Sequence, residues 1–192
     1  MHIHQSVVDS AGQNIFTEAD SQQPTELFSH YIGGLQAGLG DLILLMAPNV
    51  NSYQRYCHVY ASPNNLCWSH DNRRTGLRVP ASDPQARRVE NRVPGADANP
   101  YLAIAATLAA GLYGIEHELR PDLPAQGEFD VPDDLRLSCT VHRAIRRLRI
   151  SEVAREYFTE QFIDGYLACK QLELESFMDE ISPWERRYLS QI

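Results

Sequence analysis

The sequence predicts an α+β fold, with antiparallel strands in its first half and helices in its second. Three observations carry that reading. Residues 1–6 and 87–92 alternate in side-chain character with the period of two that a strand imposes. Between 49 and 100, Pro, Asn, Asp and Gly break the chain into short extended pieces such as Leu66-Cys67-Trp68 and Thr75-Gly76-Leu77-Arg78-Val79. After Asn99-Pro100 the apolar residues fall at helical spacing.

The elements follow in order. Met1-His2-Ile3-His4-Gln5-Ser6 reads as a first strand that lines up His2, His4 and Ser6 on one side; a frayed chain end with solvent-facing histidines is the plainer alternative. Turn-forming residues 9–14 then reverse the chain. Leu27, Phe28, Tyr31, Ile32 and Leu35 predict a helix over 25–39, and an apolar piece, 42–46, runs into Pro48. Strands and loops carry the chain to residue 100, and this stretch holds Arg55, Arg73, Arg74, Arg78, Arg87, Arg88 and Arg92. A long helix over 100–119, a proline-rich loop, and helices near 133–146 and 152–177 complete the chain. With no internal repeat and no low-complexity linker, residues 1–192 read as a single unit.

Composition bounds the function. A chain of 192 residues, 43% hydrophobic and 22% charged, suits a folded domain with a sizeable core rather than a disordered tail. A net charge of −8 argues against nucleic acid or an anionic membrane as partner, although the arginines are dense enough locally to form a basic pocket. Cys57, Cys67, Cys139 and Cys169 contain no CxxC pair, and nothing at the start resembles a secretory signal, so they read as the reduced thiols of a cytoplasmic protein. The longest uncharged run, 99–115, falls short of the roughly 20 apolar residues of a membrane span. Its small residues fit a buried, closely packed helix.

Two arginine-rich segments carry candidate chemistry. On a strand, Arg87-Arg88-Val89-Glu90-Asn91-Arg92 places Arg88, Glu90 and Arg92 on one face. A carboxylate between guanidiniums stays ionised and can ligate a divalent cation while the arginines grip anionic oxygens; a surface ladder of ion pairs is the alternative. Asn72-Arg73-Arg74-Thr75-Gly76-Leu77-Arg78 leads a loop into a strand, and its arginines suit phosphate, a solvated charged loop being the alternative.

Taken in order, these segments together with His30-Tyr31-Ile32-Gly33-Gly34-Leu35, Asn51-Ser52-Tyr53-Gln54-Arg55, Arg78-Val79-Pro80 and Ala98-Asn99-Pro100-Tyr101-Leu102 resemble the glutamine synthetase catalytic domain over essentially the whole chain. The resemblance implies a metal site at His2 and Glu90, with Mg²⁺ or Mn²⁺ as the ion. It implies ATP contacts from His4, Gln5 and Ser6, nucleotide phosphates held by Arg73 and Arg78, and glutamate with its acyl-phosphate intermediate held by Arg55 and Arg92. The implied reaction is transfer of ATP's terminal phosphoryl group to the γ-carboxylate of glutamate, followed by displacement of phosphate by an amine.

Three departures shape the expected specificity. Ammonia-using members carry Tyr-Glu-Ala-Pro where this chain has Val59-Tyr60-Ala61-Ser62-Pro63, so Ala61 replaces the acid that deprotonates ammonium. With residues 92–100, which look like the γ-glutamylpolyamine synthetase branch, this implies a ligase for a polyamine or other primary amine. Gln85 stands where some members place a nucleotide-contacting lysine, and Phe129 where some carry an adenylylated tyrosine, which implies that control at that position is absent. The family also carries, ahead of the matched region, a β-grasp domain and strands with metal-binding glutamates that this sequence does not contain. Little ligase activity from this chain by itself, and self-association through uncovered surface, are therefore expected. Ordinary glutamine synthetase using ammonia, or a non-catalytic remnant or interaction module, are the competing readings.

Overall fold

The computed structural model describes residues 1–57 and 62–191. Four short strands, β1 (Ile3–Gln5), β2 (Trp68–His70), β3 (Leu77–Val79) and β4 (Val89–Asn91), form one sheet in the order β1-β4-β3-β2. The opening residues are a paired strand rather than a frayed end: His4 lies opposite Glu90, and the Met1 ammonium donates to the Pro94 carbonyl at 3.2 Å. β1 and β3 both run antiparallel to β4, as expected, whereas β2 and β3 are parallel. The intervening loop makes this possible. Asp71 adopts φ +54°, Asn72 accepts from the Arg74 amide at 2.9 Å, and the chain re-enters the sheet in its original direction with the Leu77 amide donating to the Cys67 carbonyl at 3.1 Å.

Side-chain caps set the helix boundaries. Thr25 caps α1 (Glu26–Gly38), and Asn99 caps α4 (Pro100–Glu116), which opens on Pro100, whose missing N–H costs nothing there. α4 stops short of the expected residue 119 because Glu118 turns left-handed at φ +49° and the Leu119 amide returns to the Gly114 carbonyl. Between them lie α2 (Ile43–Met46), wholly buried, and α3 (Gln54–Cys57). The helix expected over 133–146 is a short 3-10 turn at Asp133–Leu135 followed by α5 (Val141–Ile150), because Thr140 caps a new start. The helix expected over 152–177 is two, α6 (Glu152–Tyr157) and α7 (Glu160–Asp179), since Thr159 is extended and caps the second. α8 (Pro183–Leu189) follows, with a Ser182–Glu185 capping box.

One contiguous cluster of buried apolar side chains joins the sheet to the helices, from Ile3 and Val89 through Leu42–Met46 to Leu148 and Leu174. At its centre α1 and α4 approach so closely that a Cβ on Gly34 would strike the Ala110 carbonyl and Gly114, and one on Gly111 would strike the Tyr31 ring. The small residues of the 99–115 run thus serve helix packing. No helix among the described residues is long and apolar enough to cross a membrane.

Candidate active site

Strand parity builds the site. β4 turns Val89 and Asn91 into the core, where Asn91 donates to Thr107 at 3.0 Å, and Glu90 to the opposite face. Pairing aligns His4, Glu90, Arg78 and Ser69 in one row across all four strands. The same alternation sends Gln5 to the other face with Ile3, away from His2 and His4. Its Oε1 is buried there without a protein partner.

Glu90 is the hub. Its side chain is only 4% exposed, yet four basic groups surround it: His2 Nδ1 at 2.8 Å, Arg78 Nη1 at 2.8 Å, Arg92 Nε at 3.7 Å and His4 Nε2 at 3.8 Å. Burial pushes the Glu90 carboxyl up, but the Arg78 hydrogen bond and the His2 and His4 charges outweigh it and hold the group below its ordinary range. Burial lowers His2, partly offset by Glu90, so its imidazole is neutral at neutral pH. A neutral nitrogen beside an ionised carboxylate is a pair of metal donors. Two adjacent corners of an octahedron with bonds of about 2.1 Å lie about 3 Å apart, a spacing His2 Nδ1 and Glu90 Oε1 already have. The two therefore fit part of a Mg²⁺ or Mn²⁺ shell. Among the described residues no group of three His, Cys, Asp or Glu is arranged to complete one.

The arginines divide into three settings. Arg78 donates to Glu90 and forks onto Asp71, whose carboxyl the Arg78 hydrogen bonds hold below the ordinary range. Arg92 reaches past Glu90 to the Arg73 and Thr75 carbonyls, and with Arg73, Arg74 and Arg136 lines a cavity of about 640 Å³. Four guanidiniums line it against a single lining carboxylate, Asp130, with Arg74 paired to Glu128, Arg136 to Asp133 and Arg92 beside Glu90. Arg55 is not among its lining residues. It donates to the Val93 carbonyl and the Tyr56 hydroxyl, its guanidinium carbon 4.3 Å from the Tyr56 ring centroid, and its Nε is buried without a protein partner.

Ser6 is exposed beside β1. Phe129 lines the cavity, in a segment tied down by the Arg74–Glu128 pair at 2.7 Å and by Asn72 donating to the Gly127 carbonyl at 3.1 Å. Gln85 sits in an exposed turn whose carbonyl accepts from Asn14 at 3.0 Å. Ala61 lies outside the described residues.

Arg88, placed by alternation on the face of Glu90, approaches His4 Nδ1 at 3.4 Å. Two contributors were not among the candidates. Asp71 joins the site through a left-handed turn, and Arg136 through a segment that reads as helix. Neither leaves a local signal.

Comparison with known proteins identifies the family. The model of the glutamine synthetase catalytic domain matches residues 1–189. The chain is 36% identical to a glutamate–isopropylamine ligase of a Pseudomonas species, over 98% of this chain and 42% of that one. It is 34% identical both to a γ-glutamylethanolamide synthetase of Streptomyces coelicolor (97% and 40% covered) and to a γ-glutamylputrescine synthetase of Escherichia coli (98% and 40%). A solved structure of GmaS without ligand superposes with a TM-score of 0.82 at 30% identity, covering 97% of this chain and 43% of that one. The chain thus spans less than half the length of the curated relatives it matches. Its sequence and its fold together make it a member of the glutamine synthetase catalytic-domain family.

Proposed function

We propose that this chain supplies part of the site of an ATP-dependent ligase that joins glutamate to a primary amine through γ-glutamyl phosphate. The observation that carries the proposal is the row of His4, Glu90 and Arg78, extended by His2 and Arg92 into an arginine-lined cavity. A divalent ion, Mg²⁺ or Mn²⁺, held at His2 and Glu90 would neutralise charge on the transferred phosphoryl group. Around it, His4 and Ser6 face the nucleotide, and Arg73 and Arg78 hold its phosphates. Arg92, inside the cavity, and Arg55, beside Val93, hold glutamate and its acyl-phosphate. Arg78 already has Asp71 as a partner, so the phosphate that it holds must displace that carboxylate.

Ala61 supports a primary amine over ammonia, because a methyl group neither balances a cation nor accepts its proton. Relatives named for isopropylamine, ethanolamide and putrescine point the same way. A cytoplasmic location, where ATP and glutamate are supplied, and self-association through the apolar residues exposed around α8, Phe177, Trp184 and Tyr188 among them, belong to the same proposal. Sedimentation above the monomer mass, abolished by Trp184→Ser, checks the second.

The test of function is product identity. With ATP, glutamate, Mg²⁺ and equal concentrations of ammonium, isopropylamine, ethanolamine and putrescine, mass spectrometry should find γ-glutamyl alkylamides in excess of glutamine. Turnover by this chain by itself should be low, so the product ratio is the readout. Glutamine as the sole product contradicts the amine preference, and Ala61→Glu should move the ratio toward glutamine.

A further inference from the structure

Of the four cysteines, two meet. Cys67 is buried, and burial pushes its thiol up to about 11, leaving it inert, while Cys169 stands alone on the exposed side of α7. Cys57 ends α3 and Cys139 precedes the cap of α5, 82 positions further along the chain, and both are exposed. The Cys57 sulfur lies 3.6 Å from the Cys139 carbonyl oxygen and 3.4 Å from that of Tyr53, which brings the two residues side by side, and burial together with the nearby Cys57 pushes the Cys139 thiol up. Two exposed cysteines brought together from separate elements are both open to attack on a reagent disulfide.

We propose that Cys57 and Cys139 are a modification site at which a low-molecular-weight disulfide, such as oxidised glutathione, installs an intramolecular disulfide. One thiol loses its proton to solvent, and its sulfur attacks the reagent's S–S bond, forming a mixed disulfide and releasing one reagent thiolate. The second thiol, likewise deprotonated, attacks the protein sulfur of that mixed disulfide, forming the Cys57–Cys139 bond and releasing the second thiolate. Two protein thiols are oxidised and one reagent disulfide is reduced to two thiols. The bond ties the start of α5 to α3, the helix that carries Arg55 two residues before Cys57. This site does not depend on the ligase reading.

The test uses the whole chain, reduced and then held with excess oxidised glutathione, blocked with N-ethylmaleimide, and digested with trypsin for mass spectrometry. The expected product is peptide 56–73 linked to peptide 137–143, dissolved by dithiothreitol, with Cys169 carrying glutathione. Cys57→Ser and Cys139→Ser should each reduce the linked species at least tenfold. Because Cys67 shares a tryptic peptide with Cys57, persistence of the link in Cys57→Ser would assign the bond to Cys67 and overturn the proposal. Separate glutathione adducts on Cys57 and Cys139, with no linked peptide, would overturn it equally.

Discussion

Glu90 is nearly sealed from water and touched by His2, Arg78 and Arg92, so its charge holds a network that no neighbour can replace. Glu90→Gln keeps the shape and removes the charge, leaving the buried Arg92 guanidinium without its counter-ion and Arg78 with Asp71 alone. The expected cost is about 3 kcal/mol in urea unfolding at neutral pH. Asp97 provides a pH readout. Burial raises its carboxyl, but hydrogen bonds from Ser52 and Asn49 bring it below the ordinary value. A depressed folded pKa contributes stability that is present above the unfolded value of about 3.9 and lost as pH falls through the folded one. The stability gap between the native chain and Asp97→Asn should therefore be full at pH 7 and shrink below about pH 4, as read from urea midpoints. The shared face of Glu90 and Arg92 was legible because alternation along a strand is local. The Asp71 clamp on Arg78 was not, since it depends on a single positive φ in a loop.

At the scale of elements, two glycines in helices have opposite expectations. Gly34 sits where α1 meets α4 and any Cβ collides with backbone, so Gly34→Ala should destabilise by about 2 kcal/mol despite the better helix propensity of alanine. Gly165 in α7 has nothing within 4 Å of its would-be Cβ, so Gly165→Ala should stabilise by about 0.5–1 kcal/mol. Thermal melting of the two variants checks both signs. The α1–α4 contact was foreshadowed by the small residues of the 99–115 run. The breaks at Thr140 and Thr159 were present in the sequence as capping residues, but apolar spacing ran through them, and the local cap prevailed over the longer pattern. Parallel pairing of β2 and β3 had no sequence signal, because so short a connection between adjacent strands normally reads as a hairpin.

For the whole molecule, one face of a small sheet continues into an arginine-lined cavity, and the proposed function has that surface handle a metal–nucleotide complex and an acyl phosphate. Within the matched residues β1 is paired, Glu90 is buried and Arg78 and Arg92 lie beside it. The most direct measurement is calorimetric titration of the chain with a non-hydrolysable ATP analogue, with Mg²⁺ and with chelator, alongside Glu90→Gln shown by circular dichroism to be folded. The account predicts binding that requires Mg²⁺ and weakens at least tenfold in the variant. Binding indifferent to both metal and Glu90, or none at all, would contradict it.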